Sequence, residues 1–115
     1  KLKSIYCLTI LSAVTVLPAH AQSVRSEEQA IRLVSESVAR NRLTSLKPEC
    51  LMFMAEKTRN GYRVDVREKH NEQCGGDPAT APRLFSYEIE RRSGKMKTDA
   101  AAPNGEWTGE YRAID

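Results

Sequence analysis

Two runs of residues joined by Asn60-Gly61 constrain the fold more than any other feature of this sequence. Residues 50–57 begin apolar, and residues 62–69 alternate between apolar and polar side chains, with Val64 and Val66 on the apolar face. Asn-Gly between two such runs is the strongest short-range indication of a β-hairpin. The alternation further predicts that the second strand is half-buried, with one face on a core and the other in water.

A second hairpin is predicted at residues 83–99. Its first strand, residues 83–91, alternates in the same way, and Arg92-Ser93-Gly94-Lys95 predicts a tight turn. Its last strand, residues 96–99, is short and carries Lys97, which is typical of an exposed sheet edge. We expect the core face of the first strand to hold Phe85, Tyr87 and Ile89, and its water face to hold Ser86, Glu88 and Glu90.

Residues 26–43 predict an amphipathic helix that precedes both hairpins. Ser26 is a good N-cap, and Gln29 completes a capping box. The apolar stripe that follows at helical spacing contains Ala30, Leu33, Val34 and Val38. The predicted fold class is therefore α+β, with one N-terminal amphipathic helix packed on a four-stranded antiparallel sheet made of two hairpins.

Residues 1–21 have the three parts of a secretory signal peptide. Lys1 and Lys3 form a positive start, residues 5–17 are an apolar run too short to span a bilayer, and residues 18–21 offer an A-x-A cleavage site. A retained membrane anchor is the rival interpretation.

Cleavage at this site would discard Cys7 and leave 94 of the 115 residues. These divide into a single domain at residues 22–99 and a C-terminal tail at residues 100–115, which either docks on the domain or stays free. Such a protein is expected in the periplasm or secreted from the cell, with no integral membrane segment once the signal is removed.

The charge of the processed chain is nearly balanced. The first 21 residues carry two lysines and no acidic residue, so the formal net charge falls from +3 to +1 on cleavage. Basic and acidic residues are interspersed along the rest of the sequence. The composition therefore argues against nucleic acid as a partner and against a polybasic membrane-binding surface.

Cys50 and Cys74 remain after cleavage, and an even pair of cysteines in an exported protein predicts a disulfide. On the chain-entropy model, a disulfide that closes a loop of about 25 residues adds ~3.5 kcal/mol to the free energy of unfolding. Two free thiols are the alternative. Zinc ligands usually occur in close pairs such as C-x-x-C or H-x-x-x-H, and Cys50, Cys74 and His70 do not have this spacing. We therefore expect no metal, and we expect no other cofactor.

The loop at residues 70–82 is the most distinctive surface that the sequence predicts. It is long, polar and rich in glycine and proline, and loops of this length are usually functional or tied down. A disulfide at Cys74 would pin it and lower the ordering cost of binding. The alternative is that the loop only connects the two hairpins. The candidate partner-binding residues are His70, Asn71, Glu72, Gln73, Gly75, Gly76 and Asp77.

Other chemistries of the same loop meet specific objections. His70 could act as the base for a cysteine nucleophile at Cys74, but only if that cysteine is not in a disulfide. The acidic residues of the loop do not have calcium-loop spacing, and so small a domain leaves little room for a catalytic carboxylate cleft. Gly75-Gly76 opens no phosphate-binding motif. We therefore expect no enzymatic activity.

The order of elements resembles the small periplasmic PepSY-like domains over residues 26–99. The resemblance rests on the helix, on Tyr62-Arg63-Val64-Asp65-Val66 as a Tyr-x-Val-x-Val strand, and on Glu90 and Ser93-Gly94-Lys95-Met96 near that family's aspartate and final turn. The two cysteines and the Gly-Gly-Asp-Pro run depart from the family pattern. The resemblance implies a non-catalytic binding or inhibitory module, often directed at cell-envelope enzymes. A cystatin-like fold is the nearest alternative architecture.

These predictions favour an exported binding module that acts on a cell-envelope enzyme through the loop at residues 70–82, as an inhibitor or immunity-type protein. The alternative is a structural or accessory envelope protein that binds through an exposed edge strand near Met96. Both hypotheses make the partner a protein.

Overall fold

A five-stranded antiparallel sheet with an α-helix across one face forms the domain. The structure, a computed structural model, describes residues 4, 9–14 and 22–115. Most of the predicted signal peptide, including its cleavage site and Cys7, lies outside the described residues. The elements are α1, Glu27–Arg40; a short 3₁₀ helix, Pro48–Cys50; β1, Leu51–Lys57; β2, Gly61–Glu68; β3, Arg83–Glu90; β4, Met96–Thr98; and β5, Arg112–Ile114.

The start of α1 follows the predicted cap closely. The hydroxyl of Ser26 accepts a hydrogen bond of 3.1 Å from the N–H of Gln29. The side chain of Gln29 accepts in return from the N–H of Arg25 at 2.9 Å, so the reciprocal bond falls one residue earlier than in a standard capping box. The helix ends at Arg40, earlier than predicted, because Asn41 caps it and bonds the carbonyl of Ser37 at 2.9 Å.

The core lies between α1 and one face of the sheet. The predicted core faces of β2 and β3 are confirmed, since their alternating apolar side chains are buried against the helix. A polar link crosses this core, because the hydroxyls of Ser37 on α1 and Tyr87 on β3 are 2.7 Å apart and both side chains are fully buried. The buried apolar members are Val24, Ala30, Val34, Val38, Tyr62, Val64, Val66, Phe85, Tyr87, Ile89, Met96, Ala100 and Ile114.

The hairpin of β1 and β2 is confirmed, but Gly61 is required for a different reason from the one predicted. Neither Asn60 nor Gly61 has a positive φ, so the pair does not form the type I′ turn that Asn-Gly favours. A Cβ atom on Gly61 would lie 1.8 Å from the carbonyl oxygen of Ile89. Only glycine lets β2 approach the end of β3 this closely.

The prediction of four strands is one too few. The strand order is β1-β2-β3-β4-β5, and β5 pairs with β4 so that Ile114 lies opposite Met96. The predicted sheet edge near Met96 is therefore wrong, because β4 has neighbours on both sides. Ile114 is buried and Trp107 is 63% exposed, so the C-terminal segment docks through its strand and not through its tryptophan.

Candidate functional site

The loop at residues 70–82, called here the disulfide loop, connects β2 to β3 at the end of the sheet opposite the two tight turns. Its middle is joined to the residue before β1 by a disulfide between Cys50 and Cys74, whose Cα atoms lie 5.6 Å apart. The predicted disulfide is confirmed. The loop is thus held to the sheet at both of its ends and at its centre.

Asn71 organises the first part of the loop. Its side-chain oxygen accepts hydrogen bonds from the N–H groups of Gln73 at 3.0 Å and of Cys74 at 2.8 Å, which makes an Asx turn. The N–H of Gly75 donates to the carbonyl of Asn71 at 2.8 Å and closes the turn. These bonds hold the backbone around Cys74 in place beside the disulfide.

His70 fastens the second part of the loop to β2. Its Nε2 lies 2.8 Å from the carboxylate of Glu68, and its Nδ1 lies 2.8 Å from the carbonyl oxygen of Asp77 and 3.1 Å from the hydroxyl of Thr80. Only 13% of the His70 side chain is exposed. Gly76 covers the ring so closely that a Cβ atom there would be 2.6 Å from it.

Both ring nitrogens of His70 face oxygen acceptors, and this arrangement favours the doubly protonated ring. A neutral imidazole donates from only one nitrogen and would turn a lone pair toward the other oxygen. The hydrogen bond to Glu68, followed by the one to the carbonyl of Asp77, raises the pKa of His70 above its ordinary value. The imidazole therefore holds the loop more strongly when it is charged.

The seven candidate partner-binding residues fall into two groups. His70 and Asn71 are half-buried and their side chains are used inside the loop. Those that remain exposed are Glu72, Gln73, Gly75, Gly76 and Asp77. Among these, Asp77 accepts a hydrogen bond from the N–H of Ala79 at 2.9 Å, which leaves Glu72 and Gln73 as the side chains with no described bond inside the protein.

The hypothesis of a cysteine nucleophile is wrong for Cys74, because its sulfur is bonded to that of Cys50. His70 likewise cannot act as a freely accessible base, since Glu68 and Asp77 occupy its two nitrogens. Within residues 4, 9–14 and 22–115, no group of three or more His, Cys, Asp or Glu side chains could hold a metal ion.

The structure also contains a polar cluster that the sequence interpretation missed, on the sheet face opposite α1. Ser86, predicted to face water, is fully buried, and its hydroxyl donates to Asp65 at 2.6 Å. Asp99 accepts from the backbone N–H of Ser86 at 2.6 Å and from Arg83 at 2.9 Å. The prediction was wrong because residues far apart in sequence cover Ser86.

The two carboxylates of the cluster are bonded within the protein, which indicates a structural role, although the Nε atom of Arg67 beside Asp65 is buried without a partner in the described residues. Burial alone would raise the pKa of Asp65, but hydrogen bonds from Ser86 and Arg63 outweigh it and hold the pKa below its ordinary value. One feature of the sequence could have indicated this cluster. Asp99 directly follows β4, and an aspartate at the end of a strand can accept the next backbone N–H of the neighbouring strand with its side chain.

Comparison of the chain with protein-family models, with curated proteins and with solved structures finds no match. In the described part of the chain, no helix combines the length and the apolar character needed to cross a membrane. The candidate site is thus defined by its own geometry, which is a rigid loop that presents a carboxylate and an amide side chain to solvent.

Proposed function

We propose that this chain is an exported, non-catalytic binding module that contacts a protein partner through the disulfide loop. In its concrete form the partner is an enzyme acting at the cell envelope, and insertion of the loop inhibits it. The observation that carries the proposal is the combination of internal restraint and outward exposure in one short segment. The disulfide, the Asx turn of Asn71 and the clasp of His70 hold the backbone, while Glu72 and Gln73 point into solvent without partners of their own.

Restraint of this kind favours binding because the loop backbone has already lost its conformational entropy when the protein folds. A flexible loop loses about 0.5–1.5 kcal/mol for each side chain it immobilises at an interface, in addition to the backbone cost. A loop held by the Cys50–Cys74 bond avoids most of the backbone cost, so that binding orders only the exposed side chains such as Glu72 and Gln73. Its polar side chains then supply hydrogen bonds to groups in a partner's cleft.

The disulfide supports the exported location in the proposal. Bonds between cysteines form and persist in oxidising compartments such as the periplasm and the cell exterior, and they are rare in the cytosol. Cys50 and Cys74 are bonded at the place where the loop needs restraint. The bond that needs an oxidising compartment therefore lies in the same loop to which the proposal assigns partner binding.

The test starts from capture of partners from an envelope extract with the exported protein, followed by measurement of the dissociation constant of the purified pair. Glu72→Ala with Gln73→Ala should weaken binding roughly tenfold or more, because both side chains lie at the proposed contact. The matched control is Glu36→Ala with Ser45→Ala, which also removes one acidic and one neutral exposed side chain, both outside residues 70–82.

Two further measurements decide the outcome. Cys50→Ser with Cys74→Ser should weaken binding while circular dichroism still reports the fold, since the contact residues remain but are no longer held. If the captured partner is an enzyme, a stoichiometric amount of the wild-type protein should lower its activity. Unchanged affinity in the Glu72/Gln73 variant, with the fold intact, contradicts the proposal.

A second candidate is strand addition at β1, because this strand, and not β4, is a long edge of the sheet. Lys69 N–H donates to the carbonyl of Cys50 and Thr58 N–H donates to that of Gly61. By antiparallel alternation, the backbone groups of Leu51, Phe53, Ala55 and Lys57 therefore point away from β2. The N–H of Leu51 is used by the carbonyl of Pro48 in the preceding 3₁₀ helix, whereas no turn or loop of the described residues bonds the outward-facing groups of Phe53, Ala55 and Lys57.

A proline at an outward-facing position separates this candidate from the first. Ala55→Pro removes an N–H that a partner strand would need, and prolines are tolerated on edge strands. Loss of binding in this variant, with normal binding in the Glu72/Gln73 variant, would assign the interface to β1.

A further inference from the structure

The fold collects basic residues from three separate segments at the end of the sheet that carries the tight turns. The N–H of Arg91, after β3, donates to the carbonyl of Asn60 in the first turn at 2.9 Å. The N–H of Val24, before α1, donates to the carbonyl of Arg91 at 2.8 Å. These two backbone bonds bring the segment before the helix, the β1–β2 turn and the β3–β4 turn together.

An open cavity of about 440 Å³ lies where these segments meet. Four of its lining residues are basic, and they come from all three segments: Arg25, Lys57, Arg91 and Arg92. No aspartate or glutamate lines it. Residues 1–21 cannot supply one either, because that part of the sequence contains no acidic residue.

The four cations of the cavity are not neutralised within the described part of the chain. Five ion pairs are present there, and none of them includes Arg25, Lys57, Arg91 or Arg92. All four side chains are exposed. Glu56 and Glu90, their acidic neighbours in sequence, line an adjacent groove and not this cavity. Four like charges around one concave surface attract anions from solution and focus their field there.

Thr58 adds a neutral donor to the same cavity. Its hydroxyl oxygen accepts a hydrogen bond of 3.1 Å from the N–H of Gly61, so its own proton remains available to an external acceptor. Arginine side chains bind the oxygens of a phosphate through two parallel hydrogen bonds, and lysine adds a compact charge. The donor set thus suits a tetrahedral oxyanion that carries more than one negative charge.

We infer that this cavity is a binding site for a phosphate or diphosphate group. Its volume lies within the range of ~300–1,000 Å³ that small-molecule sites occupy, so it accommodates a phosphorylated compound and not only a bare ion. The phosphate comes either from a soluble compound or from the headgroup of an anionic lipid. The site is at the opposite end of the sheet from the disulfide loop, and it does not depend on the function proposed for that loop.

Titration of the exported protein with inorganic pyrophosphate at low ionic strength tests the inference, since salt screens exposed charges. Isothermal titration calorimetry should detect saturable binding by the wild-type protein. Arg91→Ala with Arg92→Ala should weaken binding by roughly tenfold or more, because two charge-assisted contacts are removed. The backbone bonds of Arg91 are kept in this variant.

The matched control is Arg32→Ala with Lys47→Ala, which lowers the net charge by the same amount at exposed positions that do not line the cavity. It should bind pyrophosphate as the wild type does. A second variant, Lys57→Glu, places a carboxylate in the cavity and should abolish binding. It keeps the test decisive if the double-arginine variant fails to fold.

A vesicle arm distinguishes the two sources of phosphate. Co-sedimentation with vesicles of equal parts phosphatidylglycerol and phosphatidylcholine, reversed by pyrophosphate and absent with pure phosphatidylcholine, indicates a lipid headgroup. Pyrophosphate binding without vesicle binding indicates a soluble compound. Absence of both forms of binding, or equal weakening in the Arg32/Lys47 control, overturns the inference.

Discussion

The Nε2 atom of His70 lies 2.8 Å from a carboxylate oxygen of Glu68, while the other ring nitrogen faces the carbonyl of Asp77. A charged imidazole satisfies both acceptors, and a neutral one satisfies only one. The disulfide loop therefore depends on a protonation equilibrium as well as on a covalent bond. The direction of that dependence follows from the raised pKa.

The first prediction concerns pH. Because the pKa of His70 is raised in the folded protein, its stabilisation is complete below the unfolded-state value of 6.5 and is lost as the pH rises through the folded-state value. Melting temperatures of the wild type should thus fall as the pH increases from about 6 to about 8, and His70→Gln should remove that part of the dependence. His70 is the sole histidine of residues 22–115, so its NMR titration can be assigned directly. A pKa at or below 6.5 would contradict the assignment.

The second prediction separates the contact at Gly76 from its backbone conformation. Gly75 and Gly76 have similar positive φ values of 77° and 80°, but a Cβ atom would meet the His70 ring only at Gly76. Gly75→Ala should lower the free energy of unfolding by about 1–2 kcal/mol, which is the cost of a left-handed alanine. Gly76→Ala should cost more and should also shift the pKa of His70 back toward its ordinary value. Equal effects of the two variants would show that the ring contact contributes nothing.

The third prediction tests the polar link across the core. Tyr87→Phe removes the hydroxyl that lies 2.7 Å from that of Ser37, and we expect a loss of about 1–3 kcal/mol because Ser37 stays buried without that partner. Tyr62→Phe is the matched control, since Tyr62 is also buried but its hydroxyl has no described hydrogen bond. Chemical denaturation provides both values.

A double variant refines this third test. Ser37→Ala with Tyr87→Phe removes both polar groups, so it should be more stable than Tyr87→Phe alone. Additive losses would indicate that the two hydroxyls do not form a pair. Burial also raises the pKa of the Tyr87 phenol, which should therefore resist ionisation until the protein unfolds.

Much of the local structure was predictable because its causes are local. Ser26 and Gln29 specify the start of α1 through one cap, and alternation in residues 62–66 and 85–89 specifies which faces of β2 and β3 are buried. The pairing of Cys50 with Cys74 followed from there being two cysteines in residues 22–115. In each case a few neighbouring residues, or a simple count, decide the result.

The errors fall where contacts join segments distant in sequence. The sequence leaves the tail at residues 100–115 either docked or free, and residues 112–114 form a fifth strand because the side of β4 facing away from β3 was free to pair. Ser86 fits the pattern of a solvent-facing residue, but Asp65, Arg83 and Asp99 surround it. A periodicity reports which face a residue lies on, and it does not report what covers that face.

By itself, the sequence determined the helix, the hairpins, the core faces and the disulfide, since each follows from propensity, alternation or chain connectivity over short distances. The tertiary structure alone decided that β5 covers β4 and becomes one short edge while β1 is the long edge, and that His70 bonds the disulfide loop to β2. It also decided that charges interspersed in the sequence are arranged so that four cations share one cavity. A nearly balanced charge along the sequence does not predict which charged side chains lie together in the folded protein. Strand order is what places the segment before α1 and the two tight turns at the same end of the sheet.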